Sequence, residues 1–125
     1  QNIAHTHFPG RLIFIGFGSI GQGVLPLILR HVGGLSPDRI TIVTADDVAH
    51  GKPHPEGYLL ALDRLGFEAS EAIALEDTEA GVASAKAAGL HCVAVRGTLP
   101  DARLRQADEL VDGIDLALVR RLVGS

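Results

Sequence analysis

The chain has a single cysteine among its 125 residues, Cys92, so an intrachain disulfide is excluded. Cys92 sits in the apolar run HCVAV and reads as a buried core thiol rather than a reactive one. Clustered Lys or Arg is also missing: the net charge is −4, and both signs are mixed along the sequence. A nucleic-acid surface needs a basic patch to neutralise phosphates, so no nucleic-acid partner is expected. No apolar run approaches the ~20 residues that cross a bilayer, and no secretory signal is recognisable. A soluble cytoplasmic protein without a membrane partner fits. The first residue is Gln1 rather than methionine, which suggests a trimmed or recombinant start.

What the sequence does have is alternation. One domain over residues 1–125 is expected, because a chain of this size buries roughly two-thirds of its unfolded surface without a disulfide or metal staple. The first ten residues, QNIAHTHFPG, are polar, end in Pro-Gly and read as a loose lead-in. RLIFIGF is a continuous apolar run closed by glycine, as in a strand covered on both faces. SIGQGVLPLILRHVGG follows as a helix stopped at Gly33 and Gly34, with Pro26 in its first turn or at a kink. DRITIVTA is a second buried strand. PEGYLLALDRLG carries Leu59, Leu60, Leu62 and Leu65 at helical spacing, with Gly66 as the stop.

EAIALED reads as a third strand, EAGVASAKAAG as a small-residue helix stopped by Gly89, and HCVAV as a fourth strand. ARLRQ is a helical turn, ADELV a short fifth strand, and DLALVRRLV an amphipathic closing helix. Strands alternating with helices imply right-handed crossovers and a mostly parallel sheet. The expected fold is α/β: a three-layer, doubly wound, flavodoxin-like or Rossmann-like sheet with strand order 2-1-3-4-5.

Two motifs bear on chemistry. GFGSIG, residues 16–21, fits G-x-G-x-x-G directly after a strand and at the opening of a helix. Gly16 allows the tight turn, Gly18 lets a pyrophosphate come close, and Gly21 lets the helix pack on the strand. Asp46 or Asp47, at the end of the second strand, is placed to take a ribose hydroxyl. The plain alternative is a tight βα turn and nothing more. RLIFIGFGSIGQGVLPLILRH, with its GQGVLPLI continuation, resembles the start of homospermidine synthase, an NAD-dependent enzyme. The resemblance covers residues 11–45 and implies that Gly16, Gly18, Ser19, Ile20 and Gly21 descend from an NAD site. Nothing in the chain matches that family's substrate domain.

The second motif joins Lys52, in the loop of GKPHPEGYLLALDRLG, to Glu76 and Asp77, at a strand end in ALEDTEAGVASAKAAG. In an open α/β sheet both face the crevice at the carboxyl ends of the strands. A lysine there neutralises phosphoryl oxygens, and carboxylates hold Mg²⁺ with waters completing its shell. The alternative is a surface lysine and helix-capping acids, with Asp77 or Thr78 accepting helix amides. The order and spacing resemble the haloacid dehalogenase superfamily, in its β-phosphoglucomutase-like branch, over about residues 43–122. That resemblance implies that Lys52 contacts phosphate and that Glu76 and Asp77 serve Mg²⁺. It also implies an Asp-x-Asp nucleophile at the end of the first strand, where this sequence runs IFIGFGSIG with no acid. The family's Ser/Thr motif on the next strand, and its cap domain, have no distinct counterpart.

The two resemblances meet in TIVTADD. The sequence therefore reads as an engineered chimera, a Rossmann-type segment 11–45 joined to a haloacid dehalogenase-like segment 43–125 at a seam between 40 and 47. Without a nucleophile it reads as a scaffold and not as an enzyme. The glycine loop with Asp46, the phosphate lysine Lys52 and the Mg²⁺ acids Glu76 and Asp77 are then vestigial. Alternatives are a weak NAD-binding module at the glycine loop, a residual Mg²⁺/phosphate site, and a natural truncated hydrolase. No cofactor is required on this reading, with NAD or Mg²⁺ binding weakly, and the chain is a monomer or weak homodimer. His5 with His7, and His50 with His54, are spaced as metal-binding pairs are, but without further ligands they read as solvated loop residues.

Overall fold

The computed structural model describes residues 6–7, 12–15, 32–33, 47–97 and 99–123. Among these, the strands in chain order are β1 (Thr6–His7), β2 (Leu12–Ile15), β3 (Val32–Gly33), β4 (Ala72–Glu76), β5 (His91–Val95) and β6 (Glu109–Val111). The helices are α1 (Glu56–Leu65), α2 (Glu79–Ala87) and α3 (Leu116–Val123). Short 3₁₀ turns at Ala69–Glu71 and Asp101–Leu104 lead out of the loops before β4 and β6.

β2, β4, β5 and β6 lie side by side in that order, every pair parallel. They are the first, third, fourth and fifth strands that the sequence pattern calls for. The segment expected as the second strand lies outside the described residues. The register aligns Ile15 with Leu75, Glu76 with Ala94 and Val95 with Val111, so the strands finish along one edge. That shared edge is where an open parallel sheet places ligands.

Strand alternation sorts the core into two faces. Ala72, Ala74, Cys92 and Ala94 pack with Tyr58 and Leu62 of α1 and with Val82 and Ala85 of α2. Ile73, Leu75 and Val93 point the other way, onto Leu118 and Leu122 of α3. Small residues meet the alanine-rich helix and large ones meet the leucines, so both faces fill and three layers result. Cys92 is fully buried in the first of these clusters, as its apolar surroundings suggest.

The helix ends follow local chemistry. α1 stops at Gly66, whose φ of +74° is left-handed and whose N–H reaches the carbonyls of Leu62 and Asp63. α2 starts at Thr78, whose Oγ1 accepts from the Gly81 N–H at 3.0 Å. Beyond α2, Gly89 turns the chain with φ of +89°. α3 opens with Asp115 Oδ1 accepting from the Leu118 N–H at 2.8 Å.

Three local expectations need correction. Residues 6–7, read as part of a loose lead-in, form β1; Val32 and Gly33, read as the end of a helix, form β3. The two pair in parallel as a separate small sheet, with Thr6 opposite Val32 and His7 opposite Gly33. A two-residue strand exists only through its partner, so no local periodicity announces it. The leucines of α1 also do not all face the core: Leu62 is buried with Tyr58 and Ala61 and Leu65 packs against them, while Leu59 is 47% exposed. Among the described residues no helix is long and apolar enough to cross a membrane.

Candidate functional site

Glu76 closes β4 at the carboxyl edge of the sheet, and its side chain is 1% exposed. A carboxylate that deep needs partners, because removing an ion from water costs several kcal/mol. Two donors meet at its Oε2. Lys52 Nζ donates at 2.9 Å, and the Tyr58 hydroxyl donates from the buried face of α1. Burial first, and then the charge of Glu76, push the Tyr58 hydroxyl up far beyond its ordinary range. Tyr58 therefore stays protonated and acts as a donor. Lys52 also lies 5.9 Å from the Tyr58 ring centroid and is itself 43% exposed, so its ammonium faces both the carboxylate and solvent.

The other oxygen of Glu76 depends on a glycine. A Cβ placed on Gly81, in the first turn of α2, would stand 2.0 Å from Glu76 Oε1 and 3.0 Å from Thr78 Oγ1. Only a bare backbone admits the carboxylate against the helix. Asp77 follows at the same strand end, half-buried and with interactions of its own.

The loop that presents Lys52 is held from both sides. Glu56, at the start of α1, accepts from the Ala49 N–H at 2.7 Å and the His50 N–H at 3.1 Å. The hydrogen bond from Ala49 first, with His50 second, holds the Glu56 carboxyl below the usual range. On the far side of Lys52, buried Ser84 of α2 donates its hydroxyl to the His54 carbonyl at 2.8 Å. Lys52 thus projects from a pinned loop toward the end of the central strand.

Lys52, Glu76 and Asp77, the three residues the second motif singles out, are brought to one end of the sheet, and Lys52 contacts Glu76 directly. Thr78 takes the capping role that was the alternative for the acids. Gly16, Gly18, Ser19, Ile20, Gly21 and Asp46 lie outside the described residues. Asp47, the other ribose candidate, pairs with Arg64 at 3.5 Å. Two contributors escape the motif. Tyr58 sits within a stripe that looks like plain core, and Gly81 within a helix of small residues; only the approach of strand end to helix reveals either.

Both acids offer oxygen donors, the chemistry a hard divalent cation requires. Gly81 lets Glu76 Oε1 sit against the helix at the strand end, in the space a Cβ would take. The residues present therefore fit Mg²⁺. The expectation that no cofactor is required gives way to a site with the donor set for one.

Residues 39–95 match the family described as haloacid dehalogenase-like hydrolase. The validoxylamine A 7'-phosphate phosphatase of Streptomyces hygroscopicus subsp. limoneus is 47% identical over 79 residues, which are 63% of this chain and 36% of that protein. Hexitol phosphatase A of Escherichia coli is 34% identical over 109 residues, 86% of this chain and 50% of that protein. Among solved structures, a candidate β-phosphoglucomutase of Bacteroides vulgatus superposes with a TM-score of 0.58 at 36% identity, covering 72% of this chain and 37% of the other. Over these residues the chain is similar to haloacid dehalogenase-like hydrolases, and it spans half or less of the length of these relatives.

These likenesses overturn the reading of the chain as an engineered, non-catalytic chimera. Its relatives are natural phosphatases, so the conclusion that it is not an enzyme falls with it. The match to hexitol phosphatase A covers more of the chain than a segment starting at residue 43 contains, so it runs across the supposed seam. Homospermidine synthase as a second parent rested on the glycine loop and its GQGVLPLI continuation; the match to hexitol phosphatase A runs into that same segment, and tight βα turns need a glycine loop in many folds.

Proposed function

We propose that the chain is the phosphate- and metal-binding core of a phosphatase acting on small phosphorylated polyols or sugars. The observation that carries this reading is the 2.9 Å contact between Lys52 Nζ and the buried Glu76 Oε2 at the carboxyl end of the sheet. The substrate class rests on the relatives, one named for a validoxylamine phosphate and one for hexitol phosphates.

Phosphoryl transfer asks a protein mainly for positioning and charge neutralisation. Lys52 is placed for both, as a mobile point charge that can leave Glu76 for a phosphoryl oxygen without leaving the crevice. Tyr58 keeps Glu76 oriented while Lys52 exchanges partners. Glu76 and Asp77 would hold Mg²⁺, which when bound neutralises phosphoryl charge at their oxygens. Gly81 lets the Glu76 carboxylate pack against the start of α2. The attacking group is not supplied by the end of β2, because residues 16–37 contain no acid.

The test is release of inorganic phosphate from p-nitrophenyl phosphate and from a panel of hexitol and hexose phosphates, with and without Mg²⁺. Turnover is expected to require Mg²⁺, and to fall on the order of 10²-fold in Lys52→Ala and in Glu76→Gln. Phosphate release that is indifferent to Mg²⁺ and to both substitutions would sink the reading.

A further inference from the structure

The same loop carries a second group of donors that the phosphatase reading does not use. His50 and His54 stand two positions to either side of Lys52, with their rings stacked at 4.7 Å between centroids. Glu56 faces both. His50 Nδ1 lies 3.0 Å from Glu56 Oε1, and His54 Nδ1 accepts the Glu56 N–H at 3.1 Å. One donor atom from each of the three side chains falls within 4.8 Å of the others, with both imidazoles exposed and Glu56 half-buried.

We propose that His50, His54 and Glu56 form a binding site for a divalent transition ion of the zinc class, separate from the oxygen site at Glu76 and Asp77. Two imidazoles and one carboxylate suit Zn²⁺, whereas Mg²⁺ demands an oxygen shell. Bonds of about 2.0–2.1 Å in a tetrahedron set donor atoms roughly 3.3 Å apart. The His50–Glu56 separation already matches that edge, and His54 closes the triangle by a small swing of its ring. An ion there replaces the His50 ring bond to Glu56 and the His54 bond from the Glu56 amide. The second of these is exposed, so water takes it over.

The site is largely assembled before any ion arrives. The Ala49 and His50 amides fix the Glu56 carboxylate, and Ser84 pins the His54 backbone, so little ordering cost is left to binding. Solvent reaches the fourth position. Since His50 and His54 bracket Lys52, an ion bound to both ties the lysine loop into a closed ring. Occupancy is therefore expected to stiffen the approach to Glu76.

Zn²⁺ titrated into the metal-free full chain, followed by calorimetry and by the imidazole proton resonances, tests this without any substrate. Binding of one ion is expected, with resonance changes at His50 and His54. Affinity should fall by about tenfold or more in His50→Ala and in Glu56→Gln, and stay unchanged in Glu76→Gln. His50→Ala alters an exposed ring, and its thermal midpoint with Zn²⁺ absent checks that the fold is intact. Three outcomes each overturn the proposal: no heat and no resonance change, an affinity that survives His50→Ala, or binding lost in a His5→Gln/His7→Gln variant instead. None of them bears on whether phosphate monoesters are hydrolysed.

Discussion

A methyl group added at Gly81 tests how tightly the site is built. Gly→Ala inside a helix ordinarily stabilises by roughly 0.5–1 kcal/mol. Here the new Cβ would meet Glu76 Oε1 at 2.0 Å, and Glu76 is buried and bonded to Lys52 and Tyr58. The carboxylate has to swing, giving up those partners, and overpacking of this kind costs about 1–3 kcal/mol. The clash outweighs the propensity, so Gly81→Ala is expected to lower the unfolding free energy and Mg²⁺-dependent turnover together. Urea denaturation beside a phosphate-release assay checks both; a gain in stability would show that Glu76 can sit elsewhere. At this scale Lys52, Glu76 and Asp77 were legible, because charged residues beside Gly, Pro and strand ends stand out. Tyr58 and Gly81 were not, because their roles exist only where a helix and a strand end approach each other.

At the scale of elements, the loop before α1 is the part that secondary-structure pattern describes least and the site needs most. Its anchor on α2 is the Ser84 hydroxyl, 1% exposed and bonded to the His54 carbonyl at 2.8 Å. Ser84→Ala leaves that carbonyl short of a donor, at a cost of about 1–2 kcal/mol. Freed from α2, the loop should hold Lys52 less well. The expected signature is an increase in KM for phosphate monoesters larger than the decrease in kcat, read from steady-state kinetics. Equal losses in both would place the effect in global stability instead. The ends of α1 and α2 were readable from Gly66, Thr78 and Gly89, whose cap chemistry is local. The buried face of α1 was not: four leucines at helical spacing do not say which face the packing covers, and it took Tyr58, Ala61 and Leu62 and left Leu59 exposed.

For the whole molecule, acid sensitivity follows from how β5, β6 and the helices are tied. Lys86 first, then the Cys92 amide, hold the Asp108 carboxyl below its ordinary range. Arg121 first, then His91, do the same for Glu109. Lowered folded-state pKa values mean the unfolded chain binds protons more readily. Their stabilising contribution is therefore complete above the unfolded carboxylate values near ~4 and is lost as pH falls through the lower folded ones. The thermal midpoint should be flat from neutrality down to about pH 5 and should decline below about pH 4. Asp108→Asn should start lower at neutral pH and decline less steeply. Parallel acid slopes for the two proteins would assign the decline to other groups.

The sequence by itself determined the alternation of strands and helices, the parallel class of sheet, and the placing of Lys52, Glu76 and Asp77 at one end of it. Apolar periodicity, helix caps and charged strand ends are local properties that each segment carries alone. It also supported a wrong inference: two family resemblances meeting in TIVTADD implied an engineered chimera, and a missing acid implied that it lacked activity. Only the tertiary structure decided which residues complete the site. It brought Tyr58 from a helix face and the gap of Gly81 from the next helix to one buried carboxylate, and it paired Thr6–His7 with Val32–Gly33. The physical reason is the same in each case. Desolvation of Glu76 and the pairing of short strands are energies between segments far apart in the chain, and no single segment contains them.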